Sequence, residues 1–124
     1  MLAVVVGDLK KSELIMQDLR DAGFGVAFID TEKNKDITDL CLRENRIQLA
    51  KLFLALTDED QLNLYLCKLA KRVYGVSKTI AIANYPDNIE LMEKQQIDNI
   101  ICSNLFIKDS IEDILIGERA IRCI

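Results

Sequence analysis

Five short, mainly apolar stretches carry strong strand signals along the chain: Leu2–Val6, Val26–Ile29, Leu52–Leu56, Thr79–Ala83 and Ile97–Ile101. The first is an unbroken apolar run too short for an independent helix, and its β-branched content predicts a strand buried on both faces. The text between them changes to helical spacing. Ser12 to Ala22 carries Leu14, Ile15, Leu19 and Ala22, and Gly23 stops it. Ile37 to Arg46 places Ile37, Leu40 and Cys41 one turn apart, after the polar stretch Thr31 to Asp36. A longer stripe of Leu62, Leu66, Leu69 and Val73 is widened by Tyr65, Cys67, Ala70 and Tyr74 and ends at Gly75. Thr57 is the expected N-cap of that helix, with Asp60 as the capping-box acid. A short helix is expected from about Asn88 to Lys94. A last one, capped by Ser110, carries Ile111, Ile114, Leu115 and Ile121, and the apolar end Arg122-Cys123-Ile124 suggests a docked helix or a subunit contact. Regular alternation of strand and helix predicts an α/β, Rossmann-like three-layer sandwich built on a five-stranded parallel sheet. No linker or repeat interrupts it, so residues 1–124 read as a single domain.

Composition narrows the function classes. The formal net charge is −4, which argues against a nucleic-acid surface, where clustered Lys and Arg must replace counterions. No apolar run is long enough to span a bilayer, and no secretory leader opens the chain, so a cytoplasmic protein without direct membrane insertion is expected. The 4 cysteines are scattered without a C-x-x-C pair, and the chain has 0 His. Reduced thiols are expected, and no metal site. The lack of His removes the usual general base near neutral pH, so an enzyme is not expected.

The first βαβ carries the chemistry. Strand, Gly turn, helix and strand ending in an acid is the layout of a mononucleotide-binding unit. A G-x-G-x-x-G fingerprint would fall on Gly7-Asp8-Leu9-Lys10-Lys11-Ser12. Gly7 holds the first position, and Ser12 is a small residue at the third. Leu9 stands at the second, where the backbone must approach a pyrophosphate closely, and a side chain obstructs that approach. Asp8 adds repulsion, which Lys10 and Lys11 partly offset at a helix N-terminus. Asp30 has two readings: the acid that accepts hydrogen bonds from a ribose, or simply the start of a turn.

Further residues resemble the TrkA-N, or RCK, domain family that regulates potassium transport. The segment from Leu52 to Leu64, with its Leu56-Thr57-Asp58-Glu59-Asp60 core, is the most specific part of the likeness. Leu69-Ala70-Lys71, Tyr74-Gly75-Val76, Thr79-Ile80-Ala81, Asn84-Tyr85-Pro86 and Ile97 to Cys102 continue it, and Asp36-Ile37-Thr38-Asp39 is similar to the family's Gly-Asp-Ala-Thr motif without its Gly. The resemblance covers most of residues 1–107.

Two departures matter. Between Asp30 and Asp36, where the family carries a helix and a strand, only a short loop remains. Losing that edge strand converts the order 3-2-1-4-5-6 into 2-1-3-4-5 after renumbering. The family's phosphate-side Arg is here Ile82.

The resemblance implies a cytosolic regulatory domain that binds NAD(H) or an adenine nucleotide and acts on a potassium transporter or channel. A homo-oligomer fits that role. Residue by residue, it implies that Gly7 shapes the turn, Asp30 holds the ribose, Thr38 and Thr57 line the cleft, and Asn63 sits near the adjoining helix start. Leu9, Ser12 and Ile82 depart from the pattern, so weakened or lost nucleotide binding is expected. Two other readings remain. A receiver-like phospho-acceptor domain fits the length and strand order but lacks the Lys after the fifth strand. A small NAD-dependent oxidoreductase lacks a substrate domain and any His.

Overall fold

In the computed structural model, residues 1–117 are described. Five parallel strands form one sheet: β1 (Leu2–Gly7), β2 (Gly25–Asp30), β3 (Ala50–Leu56), β4 (Lys78–Ile82) and β5 (Asn99–Ile101). Their order is β2-β1-β3-β4-β5, the 2-1-3-4-5 order expected for the shortened sheet. Side chains alternate across each strand. Val4 and Val6 of β1 enter one core, with Phe53 and Ala55 of β3. Ala3 and Val5 enter the other, with Leu52, Leu54 and Leu56. The first core is closed by α2 (Asp39–Glu44), α3 (Asp60–Lys68) and α4 (Ile89–Lys94) through Leu42, Leu66, Cys67 and Met92. The second is closed by α1 (Leu9–Asp21) through Met16, Ile15 and Leu19. Fully burying a side chain such as Phe53 or Leu66 contributes about 1.5–3 kcal/mol relative to leaving it exposed.

Several element boundaries differ from expectation, each for a local reason. The first helix begins at Leu9 rather than Ser12, because Asp8 takes the extended N-cap conformation and its carboxylate accepts from the Lys11 N–H at 3.3 Å. The second is capped by Thr38, whose hydroxyl accepts from the Cys41 N–H at 3.4 Å. Thr57 is not the cap of α3; that position falls to Glu59, which makes no side-chain capping bond. The final helix, α5 (Ser103–Leu115), starts well before Ser110: Cys102, in extended conformation, is its N-cap, and the chain turns helical directly after it. Ile121 and Arg122-Cys123-Ile124, the expected apolar end, lie outside the described residues.

The helix α3 continues through a π-helical turn, Leu69–Val73. Beyond it, the Tyr74 hydroxyl donates to Asp39 and ties the end of this helix to α2. At the amino edge of the sheet Asp98 accepts from the Thr79 N–H and from Lys71 Nζ, both at 2.8 Å. Among the described residues no helix is long and apolar enough to cross a membrane.

Candidate functional site

Register brings three chain turns to one place. Gly7 pairs with Asp30 on one side and with Leu56 on the other. The loops after β1, β2 and β3 therefore converge above the centre of the sheet's carboxyl edge. The strand order switches direction there, and open α/β sheets bind ligands in that crevice.

The turn after β1 is tightly packed. A Cβ on Gly7 would lie 3.0 Å from Ser12 Oγ and 3.2 Å from the Leu56 carbonyl oxygen. Glycine here is a matter of space: strand and helix approach too closely for a side chain. Ser12 is fully buried behind this turn, and its hydroxyl has no hydrogen-bond partner. Leu9, 46% exposed, stands at the first position of α1. One donor that a phosphate could use at this helix end, the Lys11 N–H, is already taken by the chain's own Asp8 carboxylate. Lys11 reaches the other way. Its ammonium pairs with Asp58 at 2.9 Å, linking the start of α1 to the loop after β3.

Asp30 opens a turn. Its carboxylate accepts from the Glu32 N–H at 2.9 Å, and its carbonyl accepts from the Asn34 backbone and side chain at 3.0 and 2.9 Å. These bonds hold Asn34 at the rim of a cleft of about 260 Å³. One wall is Thr31, Asn34, Lys35 and Ile37 from the loop after β2. The other is Thr57, Asp58, Glu59 and Leu62 from the loop and helix after β3. Thr57 thus lies on the cleft, while Asp30 sits directly before it. Thr38 is spent on capping α2 and is not in the lining.

Behind the cleft lies a buried polar network. Asn63 is fully buried, and its amide is committed on both sides. Its oxygen accepts from the Thr57 N–H at 3.1 Å and the Thr57 hydroxyl at 2.6 Å. Its nitrogen donates to the carbonyls of Thr57 and Ile82 at 3.0 and 2.9 Å. Asn63 therefore positions Thr57 from behind and does not face the cleft. Asp60, also buried, accepts from the backbone of Asn84 and Tyr85 and from the side chains of Asn84 and Asn88, at 2.7 to 3.0 Å. Burial pushes this carboxyl up, but those donors outweigh it and hold it below the ordinary 3.8.

Sequence reasoning missed the clamp made by Asp60 with Asn84 and Asn88, and the Lys11–Asp58 link. No local signal points to a partner 24 or 47 residues away. Among the described residues no group of three or more His, Cys, Asp or Glu side chains could hold a metal ion.

Known structures share this architecture. A structure described as the GsuK channel superposes with a TM-score of 0.79 at 16% identity, over 94% of this chain and 34% of that one. The TrkA-N domain of the inner membrane protein ybaL from Escherichia coli superposes with a TM-score of 0.76 at 13% identity, over 91% of this chain and 95% of that one. A GsuK structure bound to ADP gives a TM-score of 0.76 at 17% identity, over 94% of this chain and 34% of that one. This chain therefore spans about a third of the GsuK channel's length. At these identities the likeness concerns the fold. No curated protein matches the chain in sequence. The sequence model of the TrkA-N domain matches residues 9–103, and the chain belongs to the TrkA-N domain family.

Proposed function

We propose that this chain is a regulatory domain of the potassium-transport type, cytoplasmic and non-enzymatic, acting through assembly with itself or with a transporter. In this reading its grip on NAD or ADP is weakened or lost. The observation that carries the assembly is α5. None of its 13 residues is buried, yet it presents Phe106, Ile107, Ile111 and Ile114 at 41 to 51% exposure. A helix so apolar on one side is a contact surface. The structural likeness to the GsuK channel, whose chain is about three times longer, supports a transport setting.

Loss of dinucleotide binding is supported at the turn after β1. Leu9 stands at the close-approach position, Asp8 occupies the helix N-terminus, and Lys11 is engaged with Asp58.

Sedimentation of the whole chain tests the assembly. The wild type is expected to run as a dimer or larger species, and Ile107→Asp with Ile111→Asp as a monomer. A monomeric wild type at high concentration, with no transporter partner recovered, would sink the reading. Thermal melts with NAD, NADH, ADP and ATP test the grip. A ligand at a hundredfold excess over its Kd adds about 2.7 kcal/mol of stability. Flat melts at millimolar nucleotide are the expected result.

A further inference from the structure

We propose that the apolar side of α5 docks on a second copy of this chain, in a groove along the outer face of α3 and its π-helical turn. The inference rests on the preceding reading that the chain assembles through α5, and it names the surface that receives the helix.

The groove has a volume of about 190 Å³ and is lined by Tyr65, Lys68, Leu69, Arg72 and Val73. Tyr65, Leu69 and Val73 recur at four-residue spacing and form one apolar row. Leu66, Cys67 and Ala70 of the same stretch are buried in the first core, so the row lies on the side away from the sheet. Tyr65 is 50% exposed and Val73 63%. Leu69, Arg72 and Val73 belong to the π-helical turn. Its i→i+5 bonding widens the helix there and leaves a hollow between these side chains.

Charge and length select the occupant. Lys68 and Arg72, four residues apart, flank the apolar row, and among the described residues no carboxylate lines the groove. Arg72 donates to Gln95 Oε1 at 3.2 Å, a neutral partner. Asp39 of α2, which accepts from Tyr74, is paired with Arg43 at 3.3 Å, so the groove stays positive. The final helix is the complement. Asp109 and Asp113, also four residues apart, stand beside Phe106 on the flank of the row Ile107, Ile111 and Ile114. Its Lys108 is held by Glu112 at 2.7 Å. From Ile107 to Ile114 the helix advances about 10 Å, and from Tyr65 to Val73 about 12 Å. Within one chain a single residue, Cys102, joins β5 to α5. There α4 packs on β5, on the side of the sheet that α3 occupies. The groove therefore receives the helix of a neighbouring molecule, and two copies make the contact twice about a two-fold axis. Burial of the apolar rows drives it, and the charged flanks fix its register.

Sedimentation equilibrium of the whole chain and two charge-reversed variants tests the proposal. Lys68→Glu with Arg72→Glu reverses the groove, and Asp109→Lys with Asp113→Lys reverses the flank of α5. Each variant alone is expected to weaken the dimer at least tenfold. An equimolar mixture of the two is expected to restore it to within a few-fold of wild type, because every groove then meets a helix of opposite charge. A groove variant that dimerises like the wild type would overturn this proposal and leave the assembly reading standing. So would a mixture that stays monomeric while both variants keep the wild-type circular dichroism. A wild type that is monomeric at every concentration would overturn this proposal and, with no transporter partner recovered, the assembly reading as well.

Discussion

Gly7 and Ser12 meet where β1 hands over to α1, and their contact sets how closely the helix approaches the sheet. The buried Ser12 hydroxyl lacks a partner, so it carries a desolvation cost with no return. Ser12→Ala is therefore expected to raise stability, by about 1 kcal/mol in urea unfolding. Gly7→Ala puts a methyl 3.2 Å from the Leu56 carbonyl oxygen, and is expected to cost about 1–3 kcal/mol. Part of that cost should disappear in the Ser12→Ala background, because the closest contact, Ser12 Oγ, is gone. A Gly7→Ala protein as stable as wild type would show that strand and helix can separate freely. At this scale the sequence was partly readable. Gly7, Leu9 and Ser12 were picked out by their positions in a fingerprint. The fully committed amide of Asn63 was not, since its partners Thr57 and Ile82 come together only on folding.

Elements are locked to one another by single polar residues. Asp60 joins the first turn of α3 to the loop after β4. Its folded pKa lies below the ordinary 3.8. The stability it supplies is thus complete above that value, and is lost as pH falls through the lower folded value. Asp98 acts in the same direction at the amino edge: burial raises its carboxyl, and Lys71 and Thr79 more than compensate. Urea midpoints measured from about pH 6 to about pH 2.5 should fall steeply below pH 4, and less steeply in Asp60→Asn. Equal slopes in the two proteins would remove the clamp from the account. Cys67 gives a second probe of this scale. It lies on the sheet-facing side of α3, with its thiol directed at the Ile80 carbonyl of β4. Burial, with Asp98 adding to it, pushes that thiol up to about 12, so almost no thiolate exists at neutral pH. Alkylation followed by mass spectrometry should modify Cys41 and Cys102 before Cys67, and Cys67 only when the domain unfolds. Rapid labelling of Cys67 in the native protein would contradict the packing.

At the scale of the molecule the decisive feature is α5, which joins neither core cluster among the described residues. If its apolar side is satisfied by association, stability becomes dependent on protein concentration. The melting temperature of the wild type should rise as the protein is concentrated. That of the Ile107→Asp, Ile111→Asp double variant should not, and the two should converge at high dilution because neither residue is buried. A concentration-independent wild-type melt would assign α5 to another partner. The final helix also marks a limit of sequence reading. The pattern of apolar residues marks Ile111, Ile114 and Leu115 but misses Phe106 and Ile107, because the helix starts at Ser103 and not at Ser110.

Strand count, the parallel sheet and the likeness to the family followed from the sequence alone, and the strand order followed from that likeness. They depend on local properties: apolar runs too short for helices, helical spacing between them, Gly stops, and motif residues near one another in the chain. Which polar groups face a ligand and which are spent holding loops was decided only by the tertiary structure. Thr57, Asn63, Ile82 and Asn84 are scattered in sequence but meet at the ends of two adjacent strands. A hydrogen bond is set by distance in space, and that distance exists only once the sheet has brought those strand ends together.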